Sequence, residues 1–403
     1  MTGSTYRRLF RVPEFTPLFL SSAAHTAAQT VSGLALGTLV FRATDSPLLS
    51  AVSMFGPSLA QVLGATVLLS GADRLPPRSA LTGLSLAFAV ATSVMALPGL
   101  PVWGVFAVVL VQGLIASLGG GVRWGLLNEI LGESDVKDSY LPGRSLFNMM
   151  SGLMQITGYA VGGALVTVLS PRPVLLLAAL LYATAALVAC LGLTVRPPRA
   201  LGRPSAALTR RTNAVLWSSR PRRLTYLGLW LPNGLVVGCE ALFVSYDPEA
   251  AGTLFACAAL GMLVGDLSVG RLLPPNLRPR LATPLLLLLA APYTLFALHP
   301  ALPLAAACAA LASVGFGASL VQQERLMALT PAELSGHALG LHSAGMLTMQ
   351  GVSAALAGAV AQLTSPATAM TAMALTSIAV TLALTTAART RTGGVYAVAD
   401  DRP

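Results

Sequence analysis

The chain has 403 residues, of which 55% are hydrophobic and only 10% charged. Water-soluble domains carry about a quarter charged residues, and disordered chains reverse this balance, so both classes are excluded. The net charge of +10 does not point to nucleic acid, because the arginines stand between apolar runs instead of forming one patch with interleaved aromatics. A β-barrel would show alternating ten-residue segments. What remains is a polytopic, all-helical membrane protein, since an apolar run of about 20 residues spans a bilayer.

In chain order, a basic start without a cleavable signal leads directly into the first of twelve predicted spans. Their limits are 16–41, 48–71, 79–98, 102–124, 145–169, 173–194, 224–246, 250–269, 281–298, 301–323, 338–363 and 367–388. The first holds His25 and Gln29, whose i, i+4 spacing puts them on one helix face. A histidine can take a proton near neutral pH, so both are candidates for a substrate or proton pathway. After the second span, "GADRLPPR" packs Asp73, Arg74 and Arg78 into one turn. The fourth ends near Arg123 and Glu129; structural pairing is expected for these two and for Glu324. The fifth carries Gly158, Gly162 and Gly163, small residues that let helices approach closely.

Residues 196–223 contain eight arginines and no acid, which reads as a topology anchor touching anionic headgroups. Beyond it, Glu240 lies well inside a predicted span, where charge is costly and needs a reason. Pro232 and Asn233, near mid-span, are expected to bend or open this helix and free backbone groups for a cavity. Asn233 and Glu240 therefore join the pathway candidates. Cys190, Cys239, Cys257 and Cys308 lack metal-like spacing and read as small hydrophobes.

The two halves repeat. At an offset of 195, residues 146–166 align with 341–361, bringing Gly163 onto Gly358, and Glu129 aligns with Glu324. The turn at 73–78 has a looser counterpart around 270–280, flanked by Asp266 and containing Arg271, Arg278 and Arg280. This gives a six-helix bundle at 1–194, an Arg-rich linker at 195–223, a second six-helix bundle at 224–388 and a tail at 389–403. Placing linker and tail on one side puts 23 of the 25 Lys and Arg there. Positive residues favour the cytoplasm, so both termini are predicted to be cytoplasmic in a plasma-membrane protein.

Across its whole length the chain resembles a major facilitator superfamily transporter. That family's signature, Gly-x-x-x-Asp-Arg-x-Gly-Arg-Arg, meets Leu69 to Arg78: Asp73, Arg74 and Arg78 match, while Leu69, Pro76 and Pro77 depart. Residues 15–51, with "TDSPL", resemble the macrolide-efflux-like branch. The resemblance implies alternating access, gating by Asp73, Arg74 and Arg78, and a weaker gate from Asp266, Arg271, Arg278 and Arg280. Two departures weaken proton antiport: Val109 replaces the arginine before Gln112-Gly113, and Tyr159 the proline of Gly-Pro-x-x-Gly-Gly.

The expected function is export of a small neutral or lipophilic compound, with protons as a coupling partner and import as the alternative. A monomer in the lipid bilayer is expected, without cofactor or metal. An embedded enzyme lacks its motifs, with no HExxH, GxSxG or Walker-type loop. A non-transporting sensor on the same fold would be recognised by signalling without flux.

Overall fold

The structure is a computed structural model and describes residues 8–72, 76–117, 119–132, 140–198, 206–274 and 276–389. Asp73 and Arg74 lie outside the described residues. Among the described residues there is no strand. The helices are α1 Phe15–Thr44, α2 Pro47–Ala72, α3 Pro77–Met95, α4 Val102–Ala116, α5 Gly119–Gly132, α6 Tyr140–Val168 and α7 Pro171–Gly192. They continue as α8 Ala206–Ser218, α9 Arg220–Glu240, α10 Phe243–Tyr246, α11 Ala251–Leu267, α12 Arg278–Ala290, α13 Leu302–Val314, α14 Ala318–Ala328, α15 Ser335–Leu363 and α16 Pro366–Arg389.

Local chemistry sets the helix ends. Asp45 closes α1 in the left-handed conformation at φ 50°, and Pro47 opens α2, where its missing N–H costs nothing. Gly99 turns the chain at φ +82° between α3 and α4. Asp247 Oδ1 accepts the Glu249 and Ala250 N–H groups at 3.1 and 3.0 Å before α11. Ser365 Oγ accepts the Thr368 N–H at 3.1 Å at the start of α16.

Several predicted spans are not single α-helices. The fourth divides into α4 and α5 after a turn at Ser117, and a run of three weak helix formers, Gly119–Gly121, opens α5. At the aligned position of the other half, Gly315–Gly317 forms a 3₁₀ turn between α13 and α14. The eighth ends in a π-turn at Ser268–Leu272. The ninth changes to a 3₁₀ stretch, Ala291–Leu298. Pro292 cannot donate to the α-helical ladder there, and eight residues is long for this tighter helix.

Nine helical segments among the described residues are long and apolar enough to cross a membrane, and Val102–Ala116 is a shorter apolar helix. Much of that apolar surface points outward: Leu86, Leu180 and Leu187 are more than half exposed. A water-soluble fold would hide such residues; a bilayer solvates them. The chain is a multi-pass membrane protein. Arg220–Tyr246 is the exception, with 83% of its apolar window buried.

By contact the chain forms two compact units, Met1–Pro204 with Phe243–Ala259, and Ser205–Leu242 with Leu260–Pro403. In the first, α1 packs against α2, α6 and α7. Phe15, Leu126, Leu127 and Phe147 form one core cluster, and Val31, Val40, Val105 and Val174 belong to another. In the second, α9 packs against α15 and α16, with Tyr226, Leu229 and Leu326 buried beside Trp217 and Trp230.

Candidate functional site

Two polar clusters interrupt these apolar interiors, one in each unit. In the first unit, His25 Nδ1 lies 3.1 Å from Ser85 Oγ. Its ring sits 5.3 Å from Phe88 and 5.0 Å from Tyr182, and the Tyr182 hydroxyl lies 3.4 Å from Ser32 Oγ. Gln29, one turn on, is exposed; α1 thus turns His25 toward α3 and α7 and leaves Gln29 outside that cluster. Gln112 donates to Thr92 Oγ1 at 3.2 Å in the buried α3–α4 contact.

The glycines sit where helices meet. A Cβ on Gly158 would lie 2.9 Å from Thr30 Cβ, on Gly162 3.4 Å from Val31, and on Gly163 2.5 Å from the Gly252 Cα. Gly358 is buried in α15.

At the arginine-rich end of the first unit, Glu14 accepts the Thr194 N–H and pairs with Arg196 at 2.5 Å. Arg196 also reaches Glu129 at 3.9 Å. Burial raises the Glu14 pKa, but these hydrogen bonds and the guanidinium outweigh it, holding the carboxyl below its ordinary value of 4.5. Arg78 Nη2 points at Cys190 Sγ, 3.7 Å away. Arg123 departs from the expected pairing: it forms no ion pair among the described residues, and its buried Nε has no hydrogen-bond partner.

In the second unit, α9 carries both pathway candidates. Pro232 lies inside a continuous helix, where other side chains satisfy the backbone it disturbs. The proline lacks the N–H that would reach Gly228 O, and Gln322 Nε2 donates to that oxygen instead, at 3.3 Å. Ser377 Oγ donates to Pro232 O at 3.3 Å. Asn233 Nδ2 donates to Leu229 O at 2.6 Å and approaches Ser319 Oγ at 3.3 Å. Its Oδ1 is buried without a partner.

Two turns further, Glu240 is 4% exposed. Its Oε1 accepts from Ser313 Oγ at 3.4 Å, and Tyr293, on the 3₁₀ stretch, lies beside the same carboxyl. Glu240 makes no ion pair among the described residues. Sequence reasoning missed Tyr293, Ser313 and Gln322. The available signal was that each is a hydrogen-bonding side chain within an apolar run.

Arg278 pairs with Glu324 at 2.5 Å and donates to Gly270 O and Leu273 O at 3.1 and 3.2 Å. Asp266 and Arg271 are exposed; the acid that meets Arg278 comes from α14 instead.

No family model matches the sequence, and no curated protein matches it. Solved structures do. The nucleoside transporter NupG is similar with a TM-score of 0.74 at 14% identity, over 94% of this chain and 100% of that one. A POT family transporter in complex with 5-aminolevulinic acid gives 0.72 at 11%, over 92% and 95%. The peptide transporter POT in complex with sulfate gives 0.71 at 13%, over 93% and 94%. At identities of 11–14% the likeness shows the fold alone, the one these solved transporters share.

Proposed function

We propose that the chain is a proton-coupled secondary transporter of the plasma membrane, crossing it twelve times as two six-helix bundles with both termini in the cytoplasm. It works as a monomer by alternating access and exports a small, largely apolar compound, within the size range of a nucleoside or short peptide. The observation that carries the transport reading is the likeness to solved transporters over more than nine-tenths of the chain. The efflux-like residues 15–51 and the nearly uncharged spans support export and an apolar solute.

Glu240 is assigned the coupling proton. A lone carboxylate is costly to enclose among apolar groups. The apolar enclosure favours the protonated form and the Ser313 hydroxyl, donating to Oε1, favours the carboxylate, so the carboxyl can hold a proton while enclosed and release it when α9 meets water. Asn233 contributes an unpartnered carbonyl oxygen for a solute donor, and His25 and Gln29 line the first unit's share of the pathway. Asp73, Arg74 and Arg78, with Asp266 and Arg271, are assigned to gating on the cytoplasmic side.

Flux of hydrophobic antibiotics, nucleosides and short peptides into inverted and right-side-out vesicles tests the assignment. Accumulation of at least one compound in inverted vesicles under an imposed pH gradient is expected. Accumulation in right-side-out vesicles alone would reverse the direction, and no gradient-driven flux in either would overturn transport.

A further inference from the structure

Arg123, in the first unit, forms no ion pair among the described residues. It lies on α5, two residues past the glycine run, with its Nε buried and unpartnered. Among the described residues, Glu129, six positions on, and Glu14 both converge on Arg196. What meets Arg123 is aromatic. Its guanidinium stands 5.4 Å from the Trp124 ring centroid, and Arg144, from α6, stands 5.3 Å from the same centroid. Arg144 is exposed and likewise forms no ion pair among the described residues. His25 lies within electrostatic range of Arg123. Among the described residues, no carboxylate pairs with either of the two arginines that share this indole. The indole face offsets only part of their charge, whereas an oxyanion held by both forks would also satisfy the orphan Nε–H.

We propose that Arg123, Arg144 and Trp124 form a binding site for an oxyanion group, a phosphate or carboxylate. It is carried either by a soluble solute or by an anionic lipid headgroup. The soluble source rests on the transport reading and narrows the solute to a compound bearing such a group; the lipid source stands without it.

Binding of radiolabelled inorganic phosphate to the purified chain in phosphatidylcholine nanodiscs tests the soluble source, with chloride at equal ionic strength as the control. Nanodiscs doped with phosphatidylglycerol, read by retention of the labelled lipid, test the headgroup. At least a tenfold loss of affinity is expected in Arg123→Gln and a smaller loss in Arg144→Gln. Arg123→Lys should bind better than Arg123→Gln, and Arg42→Gln, at an exposed arginine, should match wild type. Phosphate binding with this pattern supports the soluble source, and lipid retention with this pattern the headgroup.

Unchanged binding in Arg123→Gln at an unchanged melting temperature overturns the site. So does the absence of binding of either probe above the chloride control. If Arg123→Gln fails to fold, Arg144→Gln carries the test, and its equality with wild type is the overturning result. The readout is binding, so flux can succeed while the site fails, and the two readings fail separately.

Discussion

Pro232 deprives the Gly228 carbonyl of its helical donor, and Gln322 replaces that donor from α14. A buried carbonyl left unpaired costs about 1–3 kcal/mol. Gln322→Leu should therefore lower stability by an amount in that range, seen as a lower thermal midpoint, and the loss should shrink when Pro232→Ala restores the backbone N–H. Equal losses in both backgrounds, read by unfolding in detergent, would remove the compensation. Glu14 gives a pH signature. Its folded pKa is depressed, so it contributes stability that is present above 4.5 and is lost as pH falls from there through the folded value. Glu14→Gln should flatten the stability profile in that acid window and cost about 1.5–3 kcal/mol at neutral pH, the range for hydrogen bonds to a charged group. A profile with the wild-type acid slope would contradict the role.

At the scale of elements, the chain's turns were legible because their chemistry is local. Asp45, Gly99, Pro171 and Ser365 mark helix ends, and each acts within a few residues. The Gly119–Gly121 run was equally visible, yet the predicted span runs through it, since apolar composition alone does not register a change of backbone geometry. The 3₁₀ stretch at Ala291–Leu298 and the π-turn at Ser268–Leu272 were hidden for the same reason. Glu240 was legible as a carboxyl in an apolar run, but its partners were not: Ser313 and Tyr293 reach it only through packing of distant segments. Arg123 was read as one of a pair because charge near a span end commonly is, and only geometry separates it from Glu129 and Arg196.

Helix contacts supply a further prediction at this scale. Gly163→Val would drive a side chain into the Gly252 backbone, 2.5 Å from the first added carbon, and overpacking of this kind costs about 1–3 kcal/mol or more. Gly33→Ala meets nothing within 4 Å and gains helix propensity of up to about 1 kcal/mol. The first should lower the melting temperature and the second leave it level or raise it. The reverse order would refute the close α6–α11 contact.

For the whole molecule, hydropathy and the internal repeat gave the fold class because a bilayer imposes length and apolarity on every crossing. They gave no solute, since hydropathy reports where the chain crosses a bilayer and not which side chains meet a solute. The central claim is that a buried carboxyl on α9 couples proton movement to solute movement. It is tested most directly in proteoliposomes of the purified chain, with Glu240→Gln compared against wild type in two assays on one transported compound. The account predicts that the variant loses uphill accumulation driven by a pH gradient while retaining solute exchange across the membrane without a gradient. Gradient-driven accumulation at the wild-type level in Glu240→Gln would contradict it.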